Sequence, residues 1–287
     1  MPRAQRERCL PCHAPLRTSA ERIATEGVTC DACHTAVAAA PAPGGVTLRP
    51  ELATKFGPYR DAKDHHFHRV SFSGFVAGSE LCIACHSDRE PGPVAVLTSA
   101  EEWRAGPHKD RSCPSCHMPA ARARAAKGGR ERTVYHHGFG ADRGRALAGA
   151  IKVKASAKRS GRTSQLAVSV TNASAGHALP TDLPERRLRL EIEALTGSGE
   201  TALRAERVFG RHLVDGAGHP APFFLAVREA SDDRLAAGQT RLERFDLPAE
   251  STRARVRLRY ERWDPALDRY YGPSVSVVVF ERDVSLR

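Results

Sequence analysis

Apolar and polar residues alternate along much of the chain after about residue 150. The alternation is clearest over 165–171, 187–193, 241–247, 253–260 and 274–280, and 202–214 follows the same pattern. A period of two turns one face of each segment towards a core and leaves the other face, rich in Arg and Glu, to solvent. Six or so strands over roughly 135 residues are typical of an antiparallel, Ig-like β-sandwich.

The chain before about residue 145 shows no such alternation. Pro and Gly are frequent over 41–64, which predicts loop, and the Ala/Arg stretch 120–132 predicts a helix or a solvated linker. Ser99 to Trp103 are typical of the start of a helix, and Thr18 to Glu21 of a capping box. We therefore expect little regular sheet here, and short helices that begin at or just before each of four repeats.

The repeats are four copies of Cys-x-x-Cys-His, each ending on a histidine: His13, His34, His86 and His117. Two thiols three positions apart reach the two vinyl groups of one porphyrin, and the adjacent imidazole turns onto the iron. The pattern predicts four covalently attached haem c groups. It uses all eight cysteines of the chain, which are Cys9, Cys12, Cys30, Cys33, Cys82, Cys85, Cys113 and Cys116.

Cysteine pairs of this kind can also serve zinc sites or disulfides. Paired Cys-x-x-Cys units build zinc ribbons, but a site made of four thiolates needs no histidine after each pair. A disulfide scaffold is the second alternative, and eight cysteines in 287 residues are too dilute for a small stapled fold. Haem attachment is the interpretation that accounts for all four histidines.

Each iron needs a sixth ligand unless a substrate is to bind there. Met118 follows a ligating histidine directly and shares its turn, so bis-histidine coordination with low potential is the default. One member of the cluster His65, His66 and His68 is expected to ligate, and the pattern does not choose among them. The candidate ligands are His66, His68, His108, one of His136 and His137, and His177, whereas His212 and His219 flank a turn and are expected to be structural.

The net charge and the hydropathy limit which kinds of partner the protein can have. The formal net charge is +11, but each haem with two ionised propionates contributes roughly −1 when ferric and −2 when ferrous, so the loaded protein lies nearer about +3 to +7. No nucleic-acid-binding motif accompanies the charge, and no apolar run of about 20 residues predicts a membrane span. Since c-type haem is attached outside the cytoplasm and Cys9 leaves no room for a signal peptide, we expect a missing leader and a periplasmic or extracellular location.

These residues give the chain a resemblance to the cytochrome c554-like multihaem c-type cytochromes that carry a C-terminal β-domain. The matching stretches are 9–15, 26–34, 79–86 and 103–119, together with the loop Gly-His-Ala-Leu-Pro-Thr at 176–181. The resemblance implies closely stacked haems and histidine ligands from outside the repeats, which favours His108, His137 and His177. Such relatives commonly carry a further repeat upstream, which leaves the natural haem number open.

The sequence thus predicts an α+β protein of two domains. Residues 1–148 would form a tetrahaem domain with short helices and much loop, and residues 149–287 the β-sandwich. The expected function is electron transport in respiration, with redox proteins such as other cytochromes or a membrane quinol-linked complex as partners, no nucleic acid, and an oligomeric state that is not predicted. One alternative is a reductase or oxidase of a small nitrogen or sulfur compound at a five-coordinate haem, with Asp64 and the histidine cluster at 65–68, or Tyr59, as acid/base candidates. Another is a filament-forming cytochrome.

Overall fold

The structure is a computed structural model that describes residues 3–17, 26–42, 45–87, 92–139, 143–161 and 163–286. The chain divides into two units. The first consists of Met1–Ala100 and Asp110–Phe139, and the second of Glu101–Lys109 and Gly140–Arg287. The short segment Glu101–Lys109 therefore belongs to the second unit, although its sequence neighbours on both sides belong to the first.

Short helices coincide with the four repeats. In chain order the helices up to residue 117 are α1 (Arg3–His13), α2 (Cys30–His34), α3 (Gly74–Ala77), α4 (Glu80–Ile83), α5 (Ser99–Ala105) and α6 (Cys113–His117). The Thr29 hydroxyl accepts a hydrogen bond from the Ala32 N–H at the start of α2, and Ser73 caps α3 in the same way. The helix expected from Ser99 is confirmed; the capping box over 18–21 lies outside the described residues.

Three small sheets also occur in the first unit. β1 (Ala36–Ala42) pairs antiparallel with β2 (Gly45–Pro50), β3 (Thr54–Gly57) pairs parallel with β4 (Arg69–Phe72), and β5 (Ala120–Arg124) pairs antiparallel with β6 (Glu131–Tyr135). The expectation of little regular sheet before residue 145 is wrong. Strands of four to seven residues are too short to show a period of two, and Pro and Gly between them resemble loop.

The second unit contains the remaining elements. Helix α7 (Arg143–Ala150) leads into β7 (Ile151–Ser160), β8 (Thr163–Asn172), β9 (Arg187–Thr196), β10 (Thr201–Val214), β11 (Arg228–Asp232), β12 (Thr240–Leu247), β13 (Ser251–Glu261), α8 (Asp268–Tyr271) and β14 (Ser276–Ser285). One sheet has the order β11-β10-β9-β13-β14 and the other β12-β8-β7, with every neighbouring pair antiparallel. The strands expected from the alternation are all present, whereas β7 and β11 were not predicted.

The two sheets of the second unit contribute to one apolar core. Leu166, Val168 and Val170 of β8 and Leu190 and Leu258 of β9 and β13 are fully buried within it. On the opposite face of β13, arginines pair with acids of the neighbouring strands, such as Arg255 with Asp283 at 3.0 Å and Arg259 with Glu191 at 2.9 Å. This arrangement is the physical origin of the alternation in the sequence.

The predicted fold class is wrong. The prediction was an α+β chain, with a helical and loop-rich multihaem domain followed by an antiparallel β-sandwich. Among the described residues, strands instead outnumber helices and form five separate sheets. The first unit departs most from the expectation, because its helices other than α1 are short and its short strands pair locally. Among the helices of the described residues, none is long and apolar enough to cross a membrane.

Candidate cofactor-binding sites

The four repeats present their cysteines from helical turns. In α2 and α6 the repeat is the whole helix, and in α1 it forms the last turns. In the third repeat the helix continues past α4, since the N–H groups of Cys85 and His86 both donate to the Cys82 carbonyl, at 3.1 and 2.9 Å. A helical turn puts thiols three positions apart on the same side, which is the spacing that attachment to one porphyrin requires.

Some of the eight cysteines lie next to cysteines of other repeats. A hydrogen bond from Cys85 lowers the pKa of the Cys12 thiol to about 7 against the opposing effect of burial, and the same bond raises the pKa of Cys85. Likewise Cys82 lowers the pKa of Cys113 to about 6 while its own pKa rises. The third repeat therefore adjoins the first and the fourth. Burial, with the Cys30 charge, raises the pKa of Cys33.

One histidine of a repeat faces a second imidazole from far along the chain. The His34 Nδ1 lies 2.7 Å from the Phe56 carbonyl oxygen, and the His137 Nδ1 lies 2.9 Å from the Tyr135 carbonyl oxygen. A carbonyl oxygen only accepts, so each Nδ1 carries the proton and each Nε2 keeps its lone pair. The two ring centroids are 6.0 Å apart.

This pair fits a metal held between two imidazoles. Metal–imidazole nitrogen bonds of about 2 Å on opposite sides of one ion place the two ring centroids roughly 6 Å apart. Backbone carbonyls that fix the protonated nitrogen are the usual outer partners of metal-bound histidine. The neighbouring His136 donates its backbone N–H to the Pro119 carbonyl at 3.1 Å, and its side chain is exposed, as is that of His137.

Exposed apolar side chains adjoin the same residues. Val28, two positions before Cys30, is 61% exposed, Phe139 beside His137 is 62% exposed, and Phe67 between His66 and His68 is 81% exposed. The described part of the first unit has a small apolar core around Ala36, Leu48 and Ala84. Large flat apolar groups would bury such side chains and enlarge this core, so the residues present fit haem.

The cluster of His65, His66 and His68 lies in the loop before β4. The backbones of His65 and His68 pair with each other at 3.0 and 3.2 Å, and the His65 and His66 rings lie 4.0 Å apart. The His68 Nδ1 lies 3.3 Å from the Arg69 carbonyl oxygen, and His68 is the less exposed member. The geometry favours an unprotonated Nε2 at His68.

The acid and base candidates of the enzyme alternative have other partners. The Asp64 Oδ1 accepts the Val70 N–H at 2.8 Å. The Tyr59 hydroxyl donates to the Thr133 carbonyl at 2.8 Å, and the Arg132 guanidinium lies over the Tyr59 ring at 3.7 Å. Both side chains thus help to hold the first unit together. Among the residues described, no group of three or more His, Cys, Asp or Glu is arranged to hold a metal ion.

His108 and His177 lie close together in the second unit. A Cβ built on Gly176 would be 3.2 Å from the His108 Cβ and 3.4 Å from the Trp103 ring, so the backbone before His177 touches both side chains. The His177 Nδ1 lies 3.0 Å from the Ala178 carbonyl oxygen, which again leaves Nε2 with its lone pair. The sequence suggested both histidines but not that they adjoin each other.

Two residues that hold this loop were missed in the sequence. The fully buried Asn172 donates through Nδ2 to the His177 carbonyl at 2.8 Å and to the Leu235 carbonyl at 3.1 Å. Glu102, predicted only as part of a helix start, accepts the Ala178 N–H at 2.9 Å. No sequence signal identifies either, since both contacts depend on the tertiary fold. His212 and His219 lie 3.7 and 3.8 Å from the carboxylates of Asp233 and Asp215, at the surface.

Comparison with known proteins gives a strong structural likeness. The chain is similar to the penta-heme cytochrome c552 from Thermochromatium tepidum, with 24% identity and a TM-score of 0.77 over 96% of this chain and 83% of that chain. At this identity the likeness shows a shared fold. No protein family and no curated protein matches the sequence.

Two further structures match only weakly. The ApaA protein from Bordetella pertussis has 11% identity and a TM-score of 0.24 over 47% of this chain and 91% of that chain. The C-terminal domain of wzt has 10% identity and a TM-score of 0.25 over 47% of this chain and 72% of that chain. Likenesses at this level carry no argument about the chain.

Proposed function

We propose that the chain is a multihaem c-type cytochrome of the c554-like kind, which carries four covalently attached haem c groups and transfers electrons. The fold it shares with a penta-heme cytochrome c552 supports the proposal, as do the four Cys-x-x-Cys-His repeats on helical turns. Haem c supplies a reversible one-electron couple at iron.

The facing imidazoles of His34 and His137 are the observation that carries the proposal. They are far apart in sequence, their centroids are 6.0 Å apart, and each donates its Nδ1 proton to a backbone carbonyl. Two imidazoles at this spacing, each oriented by a carbonyl at Nδ1, suit an iron held between them. His34 and His137 would together hold one iron.

The remaining ligands follow from the same logic. His13, His86 and His117 would each hold the iron of their own repeat, and the further imidazoles would come from His68 (in preference to His66), His108 and His177. The thiols fix the porphyrin edge, the carbonyl-bound imidazoles keep their ring orientation, and the exposed apolar side chains exclude water. Four ligands for four irons make the protein a carrier, with no iron left open for a substrate.

The setting of the protein belongs to the same proposal. We expect an exported protein in the periplasm or outside the cell that exchanges electrons with other redox proteins, either cytochromes or a membrane quinol-linked complex. The division into a tetrahaem domain, 1–148, and a second domain, 149–287, stays a prediction. Attachment of haem c outside the cytoplasm requires export, and bis-histidine ligation implies low potential.

The test is a haem count and a ligand assay on the purified holoprotein. A pyridine haemochrome assay is expected to give four haems per chain, and carbon monoxide is expected to leave the reduced spectrum unchanged, since every iron is six-coordinate. His137→Ala should then free one iron, giving a high-spin band and carbon monoxide binding at about one haem in four. His136→Ala is the matched control and should leave the spectrum as in the parent.

Three results would contradict the proposal. Carbon monoxide binding by the unmodified protein would show an open iron and favour the reductase or oxidase alternative. Equal effects of His136→Ala and His137→Ala would remove the assignment of the His34 partner. A count of three haems or fewer would remove the tetrahaem assignment itself.

A further inference from the structure

The carboxylate of Glu102 joins two parts of the second unit that are distant in sequence. Its Oε2 accepts the Ala178 N–H at 2.9 Å, next to His177. Its Oε1 lies 2.8 Å from the Arg234 Nη2. The Arg234 side chain is buried by nine-tenths and also binds Asp232, at 2.7 Å through Nη2 and 2.9 Å through Nε. One carboxylate thus fixes α5 to both the His177 loop and the loop before β12.

The backbone of the His177 loop depends on this contact. Asn172 holds the His177 carbonyl, and Leu179 exchanges two backbone hydrogen bonds with Leu235, at 2.9 and 2.8 Å. Between these anchors, the Ala178 N–H has Glu102 as its acceptor and the Ala178 carbonyl accepts from the His177 Nδ1. Glu102 therefore holds the residue whose carbonyl orients the His177 ring.

The same helix orients His108. The Trp103 Nε1 donates to the His108 carbonyl at 3.0 Å, and Gly106 and Gly176 allow the two backbones to meet. A Cβ on Gly106 would lie 2.5 Å from the Gly176 carbonyl oxygen. Trp103 and Gly106 follow Glu102 in the chain, so the position of His108 against Gly176 is set by where Glu102 attaches α5 to the loop.

We propose that Glu102, held by Arg234, is the positioning residue for both His108 and His177. The inference rests on the proposed role of these histidines as iron ligands. Metal-bound imidazoles are usually kept in orientation by outer contacts, and loss of such contacts weakens metal binding. Without the Glu102 carboxylate, α5 is no longer attached to the Ala178 backbone. The rings of His108 and His177 then lose their fixed positions relative to each other.

The experiment compares four variants of the holoprotein. Glu102→Ala removes both contacts, Glu102→Gln keeps an oxygen acceptor for one of them, and Arg234→Met removes the support of the carboxylate. Glu101→Gln is the matched control, since Glu101 is the exposed neighbouring acid on α5, where it pairs with Arg104 at 3.4 Å. His108→Ala and His177→Ala serve as references for complete loss of a ligand.

Two readouts separate a positioning role from a merely structural one. Carbon monoxide binding by the reduced protein reports an iron that has lost its imidazole, and amide hydrogen exchange reports the Ala178 N–H. Glu102→Ala is expected to accelerate exchange at Ala178 by at least roughly tenfold and to raise carbon monoxide binding from none to at least about one haem in four. Glu102→Gln should give a smaller response in both readouts, Arg234→Met a response like that of Glu102→Ala, and Glu101→Gln none.

The outcomes are distinguishable. Faster exchange at Ala178 with no carbon monoxide binding in Glu102→Ala would overturn the inference while the reference variants still bind the gas. If His108→Ala and His177→Ala bind no carbon monoxide, the proposed ligand roles fail and the inference fails with them. If Glu102→Ala does not fold, Glu102→Gln provides the test. Carbon monoxide binding and amide exchange at Ala178 equal to those of Glu101→Gln would overturn the inference.

Discussion

A backbone carbonyl determines which nitrogen of a neighbouring imidazole stays unprotonated. The Nδ1 atoms of His34, His137 and His177 lie 2.7, 2.9 and 3.0 Å from the carbonyl oxygens of Phe56, Tyr135 and Ala178. Because these oxygens cannot donate, the three rings share one tautomer, with the proton on Nδ1 and the lone pair on Nε2. Hydrogen bonds of this kind fix the ring orientation of metal-bound histidines in proteins, which is what the proposed ligand role of these three residues requires.

Gly106 offers a test at the same scale. The Cβ that Gly106→Ala adds would lie 2.5 Å from the Gly176 carbonyl oxygen and 2.9 Å from the Glu102 carbonyl oxygen. Both oxygens belong to the backbone, which cannot move aside as the end of a side chain can. We expect Gly106→Ala to lower the free energy of unfolding of the second unit by about 1–3 kcal/mol. Denaturant unfolding of the whole protein measures this loss.

Gly149→Ala is the control for this substitution. Gly149 lies in α7, and a Cβ there meets nothing within 4 Å. A helical glycine replaced by alanine gains about 0.5–1 kcal/mol, so the two variants should shift stability in opposite directions. Equal shifts would mean that the close approach at Gly106 is relaxed without cost.

The sequence predicts the haem-attachment cysteines and their adjoining histidines directly, whereas it only narrows the choice of partner histidines, and both assignments stay predictions. Attachment to one porphyrin needs residues within one helical turn, so the requirement is local and visible as a pentapeptide. The preference for His137 over His136 depends on tertiary contacts with Pro119 and His34. Glu102 and Asn172 were missed for the same reason.

At the scale of elements, strand length decided most outcomes, although β7 (Ile151–Ser160) is long and was not predicted. Strands of eight residues or more, such as β8, β9 and β13, repeat the alternation often enough to be recognised. In the stretch 120–132, the helix propensity of Ala and Arg is overridden by pairing, since Ala120–Arg124 forms a hairpin with Glu131–Tyr135. Short strands that pair locally leave no periodic signal, which is why the fold class was predicted wrongly.

The inner strand β13, which pairs with β9 and β14, provides an element-scale prediction. Leu258 is fully buried in the core of the second unit, and its truncation leaves a cavity that the flanking strands β9 and β14 cannot close. Leu258→Ala is expected to cost about 2–5 kcal/mol of unfolding free energy. Leu242→Ala on β12, where the side chain is 48% exposed, should cost well under half as much, and thermal or denaturant unfolding compares the two. Similar losses would contradict the described core.

At the scale of the whole molecule, the proposed cofactors change the charge. The polypeptide carries a formal +11, and four haems at roughly −1 each when ferric and −2 each when ferrous leave about +7 oxidised and about +3 reduced. Isoelectric focusing of the holoprotein is expected to give a value below the sequence pI of 9.6, and a further acidic shift on reduction. An unchanged position on reduction would contradict the four proposed redox centres.

The path of the chain through the two units has a consequence for modularity. Residue 101 begins a segment of the second unit, residue 110 returns to the first, and residue 140 enters the second again. No single cut separates the units, because a fragment that begins after residue 139 lacks the helix whose Glu102 binds Ala178 and Arg234. In a gene rearrangement or a designed chimaera, the strand-rich unit therefore cannot be transferred as one contiguous segment. The segment Glu101–Lys109, which is encoded between the third and fourth repeats, must be transferred together with it.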